Sequence, residues 1–208
     1  MTLSAEDLLR RVVEAQPHLS VPAGDSYLHS YPFLLAHVAA LGPLDEGALI
    51  TVAHLAYGWM PTVLHLDVAA LPGALENVEA ARQGAVLTVP QLQRVAAAIN
   101  HSVVGASKVL HFVNPATYPI WDSRVYRFCH RTLDGLPAAG HFYQVNDATA
   151  YAAYAEACRH VVEMPAFAPV YDVIRQQFQP LAAYTGFEVA PLRALEYVMF
   201  CAGGPAGG

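Results

Sequence analysis

The chain has 208 residues, of which 55% are hydrophobic and 13% charged, and its formal net charge at pH 7 is −6. This acidity argues against a broad nucleic-acid-binding surface, although it leaves room for a small basic one. Its apolar runs are too short for a membrane span, and no signal peptide is evident at the start of the chain. The three cysteines lack CxxC spacing, so a reduced, cytoplasmic protein is expected.

Apolar residues at helical spacing, interrupted by short loops rich in glycine and proline, predict an all-α fold. In chain order the predicted helices cover residues 4–16, 32–42, 45–57, 90–99, 107–113, 122–133, 147–163, 167–182 and 191–201. Ser4 with Asp7 forms a capping-box-like start for the first helix, and Pro32 can lie in the first turn of the second. Residues 64–75 are ambiguous, and residues 85–89 are a short, isolated strand candidate. We expect one domain over residues 1–202 and a disordered tail over 203–208.

Lys108 is the only lysine in the chain, and the other ten fixed positive charges are arginines. Arginine can replace lysine on a solvated surface, but only the amine can lose its proton and attack carbon to form a Schiff base. Asp122 follows fourteen residues later. The pair therefore indicates a nucleophilic lysine with a carboxylate partner. The alternative interpretation is that Lys108 is an ordinary exposed residue in a chain that contains little lysine.

The spacing allows Lys108 and Asp122 to meet. If a helix starts near Ser107, its end at Val113 lies about 7.5 Å beyond Lys108 along the axis. The seven residues that precede Asp122 can span up to about 23 Å, so the chain can run back beside the helix. Both side chains would then lie at helix N-termini, which disfavour an ammonium ion and favour a carboxylate. Asp122 could instead be an ordinary helix cap.

Aromatic residues near these positions are candidates for the walls of a substrate pocket. Trp121 precedes the aspartate, and Tyr57 and Trp59 form a second aromatic turn around a glycine. Flat bases stack between aromatic faces in enzymes that extrude them, although core packing is the alternative for each residue. His111 would share a helix face with Lys108 and could tune its amine, or it could be a buried histidine with satisfied partners.

Motifs for bound metals or cofactors are missing from the sequence. The ten histidines form no HxH, HExxH or HxxxH pair, and no GxSxG, GxGxxG or P-loop motif occurs. We therefore expect neither a metal ion nor a cofactor.

Two stretches resemble the helix-hairpin-helix DNA glycosylases. Asp122-Ser123-Arg124-Val125-Tyr126-Arg127-Phe128-Cys129-His130-Arg131 is similar to the segment that follows their catalytic aspartate. Gly105-Ala106-Ser107-Lys108 is similar to the end of their hairpin, where a glycine turn leads into the helix with the nucleophilic lysine. Because lysine marks the Schiff-base-forming members, the likeness is greatest to the 8-oxoguanine DNA glycosylase branch. The chain departs from the pattern in having one hairpin glycine, a shorter Lys–Asp separation and Trp121 before the aspartate.

The resemblance implies a two-lobed helical bundle that excises a modified base from duplex DNA in a hydrolase or lyase reaction of DNA repair. Lys108 would attack C1′ of the extruded nucleoside, and Asp122 would stabilise the charge at the sugar. Contacts to the DNA backbone would come from Gly105, Ser107, Arg124, Arg127 and Arg131.

Two other functions remain open. The chain could be a glycosylase-like module that has lost catalysis and only binds or regulates, which suits its acidity. It could also be an enzyme that acts on a free nucleoside or another small carbonyl compound, which would need no basic groove.

Overall fold

The computed structural model describes residues 3–60, 62–130 and 144–204. This part of the chain contains α-helices and short 3₁₀ turns but no strand, so the predicted all-α fold is confirmed. The helices are α1 (Ala5–Ala15), α2 (Ser26–Ala39), α3 (Glu46–Trp59), α4 (Leu71–Arg82), α5 (Val89–Ala98), α6 (Val103–Val113), α7 (Ser123–His130), α8 (Ala148–Glu163), α9 (Ala168–Phe178) and α10 (Pro191–Ala202). The ambiguous segment is a 3₁₀ turn, Val68–Ala70, that leads into α4.

Side-chain caps set several of the helix starts. Ser4 caps α1 as predicted, because its Oγ accepts the N–H of Asp7 at 3.1 Å. Asp25 caps α2 by accepting the N–H groups of Tyr27 and Leu28 at 2.8 and 3.0 Å. That cap starts α2 six residues before Pro32, so the prediction that Pro32 opens this helix is wrong.

The start of α6 also differs from the prediction. Ser102 Oγ accepts the N–H of Gly105 at 3.0 Å, and this cap begins the helix at Val103 instead of Ser107. Gly105 is therefore a helical residue and not part of a hairpin turn. Lys108 lies in the second turn, so the predicted position of its amine at a helix N-terminus is wrong.

Helix α6 lies at the centre of the protein. It packs against α2, α3, α4 and α5, and all but two of its eleven residues are buried. Helix α10 packs against α1, α7, α8 and α9. Apart from Ile120, the buried apolar side chains of the described residues belong to one core cluster. A polar group on α6 therefore needs an opening in the structure to reach water.

Some predictions concern the edges of the described residues. Arg131 and the predicted helix end at Leu133 lie outside them, as do residues 205–208 of the predicted tail. That tail was predicted to start too early, because Gly203 is buried and its N–H bonds to the Met199 carbonyl at 2.8 Å. Of the helices that the structure describes, none has both the length and the apolar character that a membrane crossing requires.

Candidate functional site

A cleft of about 420 Å³ contains both Lys108 and Asp122, which confirms that the two residues face a common cleft. Lys108 comes from the second turn of α6, and Asp122 directly precedes α7. The other lining residues are Asp25, Tyr27, Leu28, Trp59, Met60, Ile120, Arg124, Arg193, Glu196, Tyr197 and Phe200. The cleft therefore combines charged groups with aromatic walls, as binding sites for small organic molecules do.

The Lys108 side chain is not on the outer surface, since only 9% of the residue is exposed. Burial lowers the pKa of its amine, and the positive charge of Arg193 acts in the same direction. The carboxylates of Asp122 and Glu196 oppose this shift. Burial is the largest of these effects, so the structure favours a neutral, nucleophilic amine more than water does.

Asp122 caps α7 as well as lining the cleft. Its Oδ1 accepts the N–H groups of Arg124 and Val125 at 2.8 and 2.9 Å. The two interpretations of Asp122 are thus compatible, because the helix cap fixes one carboxylate oxygen and orients the group beside Lys108.

A hydroxyl contact brings α6 beside the start of α7. Ser107 Oγ accepts the N–H of Trp121 at 3.2 Å and donates to the Val104 carbonyl at 2.8 Å. The chain therefore runs back beside α6 as the spacing predicted. Ser107 itself is wholly buried, so its predicted role as a DNA-backbone contact is wrong.

Sequence reasoning did not identify Arg193 and Glu196, which form a hydrogen-bonded ion pair one turn apart on α10. They are only 5% and 1% exposed. The Arg193 guanidinium lies 4.9 Å from the ring centre of Tyr31, 5.5 Å from that of Tyr197 and 5.7 Å from that of Trp59. The sequence feature that could have identified this pair is the presence of two opposite charges within the otherwise apolar segment PLRALEYVMFCA.

The environment of Glu196 is unlike that of Asp122. Burial raises the pKa of the Glu196 carboxyl to about 7, and the negative charge of Asp122 adds to the rise. Arg193 and Lys108 act in the opposite direction without overcoming burial. Burial acts to lower the pKa of the Arg193 guanidinium, but its interactions with Glu196, Tyr31 and Tyr184 together outweigh burial and raise that pKa. The carboxyl groups of Asp122 and Glu196 therefore line the same cleft in different surroundings.

Three predicted substrate-binding residues belong to the core instead, so these predictions are wrong. Trp121 is fully buried, with its ring 4.7 Å from that of Tyr154 and its Nε1 donating to the Val145 carbonyl at 2.8 Å. Tyr57 and His111 are 3% and 0% exposed, and neither lines the cleft. The predicted aromatic residue that does line the cleft is Trp59.

His111 supports the cleft from behind. Its Nδ1 lies 2.7 Å from the Tyr118 carbonyl oxygen and must donate there, so its Nε2 accepts from the Tyr31 hydroxyl at 2.7 Å. Burial lowers the pKa of His111 to about 3, and Arg193 contributes to the shift. The neutral imidazole thus holds the ring of Tyr31 beneath Arg193.

Gly105, another predicted site residue, is also buried. Its N–H is bonded to Ser102, and a Cβ at this position would overlap the Tyr57 hydroxyl. Its absent side chain lets α6 approach α3, so the predicted backbone contact with DNA is wrong.

The two predicted phosphate contacts on α7 differ in position. Arg124 is exposed and lines the cleft, with its guanidinium 4.5 Å from the ring centre of Phe200. Arg127 is half-buried and does not line the cleft. Within the described ranges, no three His, Cys, Asp or Glu side chains are grouped so that they could hold a metal ion.

Comparison with known proteins found no matching family model, no matching curated protein and no matching solved structure.

Proposed function

We propose that the protein is a lysine-dependent DNA glycosylase, with Lys108 as the nucleophile and a modified base as the leaving group. One observation carries the proposal: the only lysine of the chain is buried, has a lowered pKa and opens into a cleft that the carboxyl groups of Asp122 and Glu196 also line. A solvated lysine would need none of these features.

Each part of the cleft has a use in this reaction. Lys108 attacks C1′ of the extruded nucleoside and, after opening of the sugar ring, forms a Schiff base. Asp122 stabilises the positive charge that develops at the sugar. The rings of Trp59 and Phe200 offer aromatic surface to a flat base. The cleft volume lies within the roughly 300–1,000 Å³ that is typical of small-molecule sites.

The grip on DNA is expected to be weak. The chain is acidic, and both Gly105 and Ser107 are buried, which leaves Arg124 as the cleft residue best placed to meet a phosphate. Each neutralised phosphate contributes about −0.9 to the slope of log affinity against log salt concentration. A slope no steeper than about −3 is therefore expected for three contacts or fewer.

The test is borohydride trapping on duplexes that carry a panel of modified bases. The wild-type protein should become covalently attached to one of them, and Lys108→Arg should bind the same duplex without being trapped, because guanidinium keeps its charge but cannot become a nucleophile. Equal trapping of Lys108→Arg would show that another amine, such as the N-terminus, is responsible. Duplex binding without trapping by the wild type would support a binding module instead.

A second candidate is an enzyme that uses the same amine on a free nucleoside. The observation in its favour is that the cleft needs no hairpin or basic groove to hold such a substrate. Release of base from nucleosides in solution, with no trapping on any duplex, would favour this candidate over the first.

A further inference from the structure

Three carboxyl groups line the cleft with Lys108, but only that of Glu196 does not cap a helix. Oδ1 of Asp25 accepts two backbone N–H groups at the start of α2. Oδ1 of Asp122 already accepts two backbone N–H groups that start α7. Protonating that oxygen would weaken the cap. Glu196 instead lies on a regular stretch of α10, caps nothing, and interacts with Arg193 through Oε2.

We propose that Glu196 is the proton carrier for Lys108: it takes a proton from the ammonium group and delivers that proton to the departing base. This inference rests on the glycosylase function proposed above. It divides the work between the two carboxyl groups, with Asp122 providing fixed charge and Glu196 exchanging protons. Such a division by environment is a recurring arrangement in enzymes that use a carboxyl pair.

The proton and electron balance is closed within the cleft. Glu196 as carboxylate accepts a proton from the Lys108 ammonium, which leaves a neutral amine and a carboxylic acid. The amine nitrogen forms a bond to C1′ while the bond from C1′ to the base nitrogen breaks, and its electron pair leaves with the base. The carboxylic acid then protonates that nitrogen, so the base departs neutral and Glu196 is a carboxylate again.

The surroundings of Glu196 suit this exchange. It is 1% exposed, and burial raises its pKa, so the energies of its charged and neutral forms are closer than in water. Its charge interacts with groups from several packed segments: Tyr31 of α2, Lys108 of α6, Asp122 before α7, Tyr154 and Cys158 of α8, and Arg193 and Cys201 of α10. Of these partners, Lys108 is the amine that faces the same cleft.

Because Lys108 is the sole lysine, protein labelled with ¹³C-lysine gives a single side-chain NMR signal whose pH titration reports this amine alone. In the wild type the signal should shift in two steps, one for Lys108 and one for its coupled neighbour. In Glu196→Gln the neighbour step should disappear and the amine should lose its proton at lower pH, because a nearby anion has been removed. Glu76→Gln, on the exposed side of α4, is the matched control and should leave both steps unchanged.

Single-turnover release of the base supplies the second readout. General acid–base groups contribute about 10²- to 10⁴-fold, so Glu196→Gln should release base at least about 100-fold more slowly although its amine is more often neutral. The bell-shaped pH profile should also lose one limb, whereas Glu196→Asp should be slow but keep both limbs. A structural role alone would lower the melting temperature without changing the shape of the profile.

The two proposals can fail separately. If the wild type releases no base from any duplex or nucleoside, the proposed function is overturned, and the lysine titration alone then decides whether Glu196 and Lys108 exchange protons. If Glu196→Gln does not fold, the wild-type titration decides. A Lys108 signal that titrates in one step overturns the role of Glu196.

Discussion

Replacing Gly105 with alanine tests whether this glycine serves packing between helices or contact with DNA. A Cβ at position 105 would overlap the Tyr57 hydroxyl and lie 3.0 Å from both Cε2 and Cζ of that ring. Overpacking of this kind costs about 1–3 kcal/mol, and the better helix propensity of alanine returns about 0.5–1 kcal/mol. We therefore expect Gly105→Ala to lower the free energy of unfolding by about 0.5–2 kcal/mol.

Gly58→Ala is the matched control. Gly58 is also helical, but it is exposed, and a Cβ there would meet no atom within 4 Å. This variant should be more stable than the wild type by about 0.5–1 kcal/mol. Urea denaturation followed by circular dichroism measures both changes on the same scale.

A double-mutant cycle with Tyr57→Phe locates the strain. Removing the hydroxyl removes the atom nearest to the added Cβ, so Tyr57→Phe should cost less in the Gly105→Ala protein than in the wild type, with a coupling of about 0.5–3 kcal/mol. Gly105→Ala as stable as Gly58→Ala would refute the packing argument. If Gly105→Ala were as stable as the wild type but no longer bound duplex DNA, the result would support the predicted contact between this glycine and DNA.

Three further predictions concern the charged groups. The buried His111 has a pKa of about 3 against 6.5 when unfolded, so the unfolded chain binds more protons between these values and stability falls as the pH drops through that window. Between about pH 6 and about pH 4, the free energy of unfolding should therefore fall less steeply with decreasing pH in His111→Gln than in the wild type, by roughly 1.4 kcal/mol per pH unit. Urea titrations across this pH range measure the difference. Arg193→Met leaves the Glu196 carboxyl buried without its partner and should cost about 3–5 kcal/mol in denaturant unfolding, and a double variant that also carries Glu196→Met should recover most of that loss. Arg124→Ala should reduce the salt slope of duplex binding by about 0.9, and an unchanged slope would remove Arg124 from the phosphate contacts.

Local sequence signals predicted most of the helices, because a helix depends largely on residues that are close together in the chain. Apolar spacing and the Ser4 cap placed α1 correctly. Helix α4 was missed, because the proline and glycine at positions 72 and 73 left its first turn ambiguous. Two other errors arose where a cap competed with a more familiar signal. Asp25 starts α2 ahead of Pro32, and Ser102 starts α6 ahead of Ser107. Both caps were present in the sequence but were outweighed by proline and by the glycine turn that the family resemblance suggested.

The candidate site was predicted only in part, since its remaining members depend on tertiary packing. Lys108 and Asp122 were identifiable because a sole lysine and a nearby aspartate are visible in the sequence alone. Arg193 and Glu196 have the spacing of an ordinary surface ion pair, and the apolar residues around them were the local sign that α10 is enclosed. Trp121 was the opposite kind of error, a residue that was predicted for the site but belongs to the core. It precedes the aspartate in sequence, which suggested a pocket wall, but its indole is buried in the core.

Helix α10 gives the cleft a property that concerns the unfinished or damaged protein. It supplies Arg193, Glu196, Tyr197 and Phe200, whereas the amine comes from α6. The pKa of Lys108 is lowered mainly by burial, and Arg193 and Glu196 of α10 also act on it. In an unfolded chain the same amine would have the pKa of an ordinary exposed lysine. The lowered pKa of Lys108 and the intact fold therefore appear and disappear together.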